Sequence, residues 1–417
     1  MMRLFATQSK YADRLAAAVE SENSCTSKFR SLIDQISMQQ GKIMTLEEER
    51  NHLNEESGQL KALVEDLERK GVKRLIDKVQ EPVAAVVIMA CNRADYLERT
   101  IMSVFKYQKS VASKYPLFVS QDGSNPNVKS KALSYDQLTY MQHLDFEPVQ
   151  TERAGEIIAY YKIARHYKWA LDELFYKHNF SRVIILEDDM EIAPDFFNYF
   201  EAAAALLDKD KSIMAVSSWN DNGQKQFVHD PYALYRSDFF PGLGWMLARS
   251  IWDELSPKWP KAYPFILLMS LFRSYCFVQF IVSLEPFLKG SSMGQYFKQY
   301  LEPIKLNDVL VDWKSMDLNY LMKDKYVKHF ASIVEKAKPV YGNDLILKLN
   351  IGGDVRIRYK DQSDFERIAG MFGIFEEWKD GVPRTAYKGI VVFRYQTSRR
   401  IFLVGPDSLK QLGIKDA

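Results

Sequence analysis

Between residues 10 and 70, apolar side chains return with a seven-residue period. Leu32, Leu46, Leu53, Leu60 and Leu67 share one heptad position, and Ile36, Ile43 and Val64 share the position four residues later. Glu, Lys and Arg fill the gaps, no proline interrupts, and the only glycines are Gly41 and Gly58. This spacing predicts a long helix, either pairing as a coiled coil or lying singly on a body. Arg50 and Ser57 fall on the second seam. Polar seam residues weaken helix pairing, so self-association through this stem is expected to be weak.

After a linker from Gly71 to Pro82 the pattern changes. Val83 to Ala90 is an unbroken apolar run rich in β-branched residues, the signature of a parallel strand covered on both faces. A helix is expected over Tyr96–Tyr107. A second strand, Leu117–Ser120, ends in Gln121-Asp122-Gly123-Ser124. A helix over Tyr160–Phe175 leads to a third strand, Arg182–Leu186, which ends in Glu187-Asp188-Asp189. Alternating strands and helices predict an α/β domain with a largely parallel sheet. In the last hundred residues Val355–Tyr359, Lys388–Tyr395 and Arg400–Val404 read as strands of a smaller α+β domain. The expected organisation is a helical stem at 1–72, an α/β domain at 73–305 and the smaller domain at 306–417.

Length and charge narrow the picture. A chain of 417 residues, 47% apolar, suits two globular domains plus a stalk. A net charge of +2 supplies no general attraction to nucleic acid, and none is expected as a partner. Cys25, Cys91 and Cys276 lie too far apart for zinc spacing, and an odd, sparse set gives no disulfide framework. The opening residues, Met1 to Thr7, lack an apolar core of signal-peptide length, so no anchor is visible in this sequence.

Candidate chemistry lies where the strands end, because open α/β sheets bind ligands beyond the carboxyl ends of their strands. Arg93, Asp122 and the Glu187-Asp188-Asp189 triplet all fall there. Adjacent carboxylates at a buried strand end repel one another unless a cation joins them. Hard divalent cations take oxygen ligands and share them with phosphates. Asp189 or its neighbours are therefore placed to hold Mn2+ or Mg2+ against a diphosphate; the alternative is that the acids serve the helix start near Pro194-Asp195. Asp122 suits a ribose or uracil edge, or simply the Asp-Gly-Ser turn. Arg93 suits a phosphate or base, or solvent. His166 suits a ligand, or a structural place on its helix.

Several runs go beyond spacing: Ala90-Cys91-Asn92-Arg93, Ser120-Gln121-Asp122-Gly123, Tyr160 to Trp169, Ile185 to Phe197, Ser218 to Gly223, and Phe240-Pro241-Gly242-Leu243-Gly244-Trp245. Together they resemble the N-acetylglucosaminyltransferase I family, over residues 3–263 and 290–417. The resemblance implies a GT-A glycosyltransferase fold with a Rossmann-like parallel or mixed sheet. It implies inverting transfer of N-acetylglucosamine from UDP-GlcNAc, in β1,2 linkage, to the α1,3-arm mannose of a five-mannose, high-mannose N-glycan. That step opens hybrid and complex N-glycan synthesis. The family also implies Mn2+ as cofactor and a type II Golgi membrane protein with a lumenal catalytic domain. Carried over by position, Asp189 matches the metal ligand. Arg93, Asp122, His166 and Asp188 match donor contacts, and Ser292 in Gly290-Ser291-Ser292-Met293-Gly294-Gln295 matches a late donor contact.

The sequence departs from the family at one place. There the catalytic base follows Trp-Pro-Lys-Ala-aromatic in a Trp-Asp-Asp-Trp run. Here Trp259-Pro260-Lys261-Ala262-Tyr263 leads into Pro264-Phe265-Ile266-Leu267. The segment 264–289 holds no Asp and one Glu, Glu285. Its sharp edges read as translated intron or shifted frame, and no catalytic residue is assigned. Pro264 to Leu284 is about long enough for the ~20 residues of a membrane span, but Arg273 sits near its middle and domain sequence surrounds it. An aggregation-prone insert is the expectation.

Overall fold

The computed structural model describes residues 2–69, 81–152, 156–240, 242–262, 276–280 (backbone only), 302–341, 353–379, 381–395 and 399–415. Contacts divide the chain into two units, Met1–Gln80 and Glu81–Ala417. The first is one continuous helix, Met2–Arg69. Its seam residues Leu32, Ile36, Ile43, Leu46 and Leu53 are all exposed. The heptad pattern thus gives the expected helix, with these described seam residues at its surface.

The second unit is built on an eight-stranded sheet. Its strands are β1 (Ala85–Ala90), β2 (Leu117–Asp122), β3 (Leu138–His143), β4 (Arg182–Glu187), β5 (Ile213–Ser217), β6 (Leu234–Ser237), β7 (Trp245–Ala248) and β8 (Cys276–Phe280). They lie in the order β3-β2-β1-β4-β7-β5-β8-β6. β1, β2, β3 and β4 run parallel to their neighbours in that group. β7 enters antiparallel between β4 and β5. The Arg249 N–H donates to Ser181 O beside the start of β4, which fixes that reversed register. The sheet is therefore mixed, and its parallel half is the part the sequence pattern predicts.

The apolar run of β1 follows from the two cores it serves. Val86, Ile88 and Ala90 enter one core, and Ala85, Val87 and Met89 the other. β4 divides the same way, with Ile184 and Leu186 on one face and Val183 and Ile185 on the other. A strand covered on both faces has no polar side, and each buried Val or Ile contributes about 1.5–3 kcal/mol. Helix Ala94–Gln108 covers the first face through Leu97, Ile101 and Val104. Helix Ile158–Asp172 covers the second through Tyr167, Ala170 and Leu171.

The first core also takes Trp313, Tyr326, Phe330, Tyr387 and Phe402, so it runs across residues 305 and 306. A separate four-stranded sheet follows, in the order Ile390–Tyr395, Arg399–Val404, Val355–Arg358, Lys338–Val340. Helix Gln362–Phe372 packs on it through Phe365, Ile368 and Phe372.

Most of the segment 264–289 lies outside the described residues. The exception is β8, whose backbone pairs parallel to β5 and antiparallel to β6. A five-residue piece of the foreign-looking run, read from the sequence as an aggregation-prone insert, is thus a strand of the main sheet. Its aromatic and β-branched composition is that of an inner strand. Among the described residues no helix is long and apolar enough to cross a membrane.

Candidate functional site

The acidic triplet ends β4. Glu187 is its last residue and sits opposite Met89 of β1. Asp188 and Asp189 form the turn that follows, and both are buried. Helix Ala94–Gln108 pins this turn: Met190 N–H donates to Thr100 Oγ1 at 2.9 Å and Ile192 N–H to Ser103 Oγ at 2.9 Å. The alternative reading, in which the acids open the next helix, does not hold. That helix starts at Phe196, and Asp195, just before it, has another task. Its carboxylate accepts from Trp313 Nε1 at 2.8 Å and Asn307 Nδ2 at 2.9 Å.

Arg93 immediately precedes helix Ala94–Gln108 and reaches across to the acids. Its Nη2 pairs with Asp188, and its Nη1 lies 3.0 Å from Asp189 Oδ2. Burial pushes Asp188 up to about 6; Arg93 opposes the shift and Asp189 adds to it. Burial and then the Asp189 charge push Glu187 up to about 7, against a hydrogen bond donated by Tyr167 Oη at 3.0 Å. Burial works against the Arg93 charge, but the two carboxylates outweigh it and raise its pKa. One guanidinium thus faces two buried carboxylates. The remaining negative charge suits a divalent cation held by one or two carboxylates and completed by phosphate oxygens. Among the described residues no cluster of three or more His, Cys, Asp or Glu forms a self-sufficient metal cage.

The second group sits at the ends of β2 and β3. Asp122 closes β2 opposite His143, the last residue of β3. His143 Nδ1 lies 2.9 Å from Asp122 Oδ1. Gly123 follows with φ +83°, a conformation that favours glycine, and its N–H donates to His143 O. His166 is buried on helix Ile158–Asp172, with Nε2 2.8 Å from Ser120 Oγ. Its ring stacks on His143, with centroids 5.5 Å apart. Burial lowers the His166 pKa to about 4, against the pull of Asp122, so the imidazole is neutral near pH 7.

β1 lies between β2 and β4, so the two groups are two strand spacings apart, roughly 10 Å. Of the expected site residues, the structure gathers Arg93, Asp188 and Asp189 into one cluster and Asp122 and His166 into the other. Ser292 lies outside the described residues, as do Tyr263 and, apart from the backbone of β8, the segment 264–289 where a base was sought. His143 escaped the sequence reading. Its strand, Leu-Thr-Tyr-Met-Gln-His, lacks the apolar run that marked the others.

The carboxyl end of a strand with a buried acidic turn, set beside a helix start, is where an α/β enzyme takes a phosphorylated ligand. Together with the fold, this places the protein among the GT-A glycosyltransferases. The chain belongs to the GNT-I family, whose model matches residues 1–416. It is 68% identical, over 421 residues, to an alpha-1,3-mannosyl-glycoprotein 2-beta-N-acetylglucosaminyltransferase of Arabidopsis thaliana; the match covers 100% of this chain and 95% of that protein. Similar solved structures include the mannosyltransferase PcManGT from Pyrobaculum calidifontis in complex with GDP-Man and Mn2+, at 17% identity and TM-score 0.27, covering 45% of this chain and 53% of that one. Another is the galactosyltransferase LgtC in complex with donor and acceptor sugar analogs, at 14% identity and TM-score 0.30, covering 47% of this chain and 72% of that one. Both likenesses are too slight to bear on function.

Proposed function

We propose that this chain carries the donor and metal sites of an inverting transferase that moves N-acetylglucosamine from UDP-GlcNAc, in β1,2 linkage, to the α1,3-arm mannose of a high-mannose N-glycan. The observation that carries this reading is the 68% identity over the full chain to the Arabidopsis enzyme. The geometry supports it. Two polar groups roughly 10 Å apart at the carboxyl ends of β2 and β4 suit the base and the diphosphate of one nucleotide. Asp122 meets the uracil or ribose edge, with His166 as a neutral partner beside it. Arg93 meets the diphosphate. Asp189, with Asp188 next to it, holds Mn2+. When bound, the metal would neutralise charge on the leaving diphosphate. By family, the protein works as a type II Golgi membrane protein with its catalytic part in the lumen.

A second reading rests on one feature of the sequence. Inverting transfer needs a group to take the proton of the acceptor hydroxyl, and such a base contributes about 10²–10⁴-fold. After Trp259-Pro260-Lys261-Ala262-Tyr263 this chain supplies no aspartate up to residue 289. In this reading the chain binds the UDP-sugar and transfers it poorly. The deciding assay uses UDP-GlcNAc, Mn2+ and a five-mannose N-glycan, and compares this chain with one whose residues 264–289 are replaced by the family's Asp-Asp loop. Slow turnover here and fast turnover in the replacement is the expected result; equal turnover refutes the role given to that loop. Separately, calorimetry is expected to show Mn2+-dependent UDP binding that is lost in Asp189→Ala. Equally strong binding without metal refutes the assignment of Asp189.

A further inference from the structure

We infer that His143 is a positioning residue for the donor's base: it ties down one oxygen of Asp122 and presents the other, fixed in direction, to the nucleotide. This rests on the reading above that Asp122 meets the donor.

The geometry is closed on the His143 side, and the contact with His143 takes one of the two Asp122 oxygens. His143 Nδ1 lies 2.9 Å from Asp122 Oδ1, and its backbone carbonyl accepts from Gly123. Its ring cannot turn freely. The ring of His166 stacks on it at 5.5 Å with planes 15° apart, and Trp169 lies at 5.2 Å. His166 is anchored in turn by Ser120 Oγ. With Nδ1 so placed, the imidazole donates to Oδ1. Asp122 Oδ2 accepts no hydrogen bond from a described residue. An aspartate side chain on its own turns about two bonds and offers either oxygen; this one is held to a single presentation.

That presentation selects a chemistry. An ionised carboxylate accepts hydrogen bonds and donates none. A fixed acceptor at the base edge favours a ring that offers an N–H, as the imide of uracil does, over cytosine, whose equivalent ring nitrogen is itself an acceptor. His143 thereby supports uridine over cytidine nucleotides without touching either.

The test is calorimetry on the full chain with Mn2+ and either UDP or CDP. His143→Ala frees Asp122, and is expected to weaken UDP about tenfold, the scale of one hydrogen bond to a charged group. CDP binding is expected to stay nearly unchanged, so the UDP-to-CDP preference narrows by a similar factor. His143→Asn puts an amide N–H near the place of Nδ1 and restores UDP binding to within about threefold. His143→Gln reaches toward the other ring nitrogen and does not. A merely structural role would not separate Asn from Gln or UDP from CDP. The inference is overturned if His143→Ala binds UDP like the parent, or if Asn and Gln behave alike. Should His143→Ala fail to fold, the Asn–Gln pair still decides. Asp122→Ala separates the layers. If it leaves UDP binding intact, the donor reading of Asp122 has failed; if it weakens UDP while His143→Ala does not, only the role of His143 has failed.

Discussion

Removal of Arg93 exposes how the acidic turn is kept in place. The Arg93 side chain retains 27% exposure, while those of Asp188 and Asp189 retain 4% and 11%. Arg93→Ala therefore leaves two adjacent carboxylates with little water and no salt-bridge partner among the described residues. Breaking a buried pair from one side costs about 3–5 kcal/mol. The partial exposure of Arg93 puts this case near the low end, about 3 kcal/mol. For a unit the size of Glu81–Ala417, an unfolding entropy of ~2.1 cal/mol/K per residue converts that loss into a melting point about 4 °C lower. A metal should change the comparison. In the parent, Arg93 already supplies a cation, so Mn2+ alone is expected to raise the melting point little. In Arg93→Ala the ion meets two uncompensated carboxylates and is expected to recover most of the loss. UDP binding with Mn2+ should nevertheless be weaker in the variant, because in the proposed reading the diphosphate has lost its guanidinium. Arg93→Lys keeps the charge without the planar fork and should fall between the two. Thermal unfolding with and without Mn2+ reads the first two effects, and calorimetry reads the third. If Arg93→Ala melts within about 1 °C of the parent and shows the same Mn2+ shift, the acids do not depend on Arg93 as argued.

Two further outcomes follow from other parts of the chain. Residues 8–72 alone are expected to sediment mostly as monomer at micromolar concentration, because Arg50 and Ser57 interrupt the second seam; a stable dimer would refute this. Burial pushes Asp195 up to about 6, above its unfolded value of ~3.9. The folded state therefore binds the extra proton, so this stabilisation is complete below pH ~4 and is lost as pH rises through 6, about 3 kcal/mol in all. Asp195→Asn has no such titration. Urea unfolding at pH 5 and 7.5 should show the parent losing about 1–1.5 kcal/mol more than the variant over that interval, and equal losses would contradict it.

What could be read from the sequence depended on whether a residue carried its meaning locally. β1 and β4 were legible because each feeds two cores, so neither has a polar face to break its apolar run. The acids at 187–189 were legible because they end such a strand. Asp122 and His166 each kept two readings, because a turn aspartate and a helical histidine look alike with or without a ligand. Their meaning comes from neighbours distant in the chain: His143 beside Asp122, and Ser120 against His166. His143 was missed for the same reason. β3 pairs on one side only, at the end of the sheet order, and so carries no continuous apolar run. A similar long-range contact spans the expected division at 305/306. Sequence pattern marks a change of secondary structure there, but the carboxylate of Asp195 joins Asn307 and Trp313 to the start of the helix that follows the acidic turn. A buried acid that satisfies two side chains from beyond residue 305 ties the placement of Asp188 and Asp189 to both sides of that division. The acidic turn accordingly depends on the described residues 302–341 as well as on the strand that displays it.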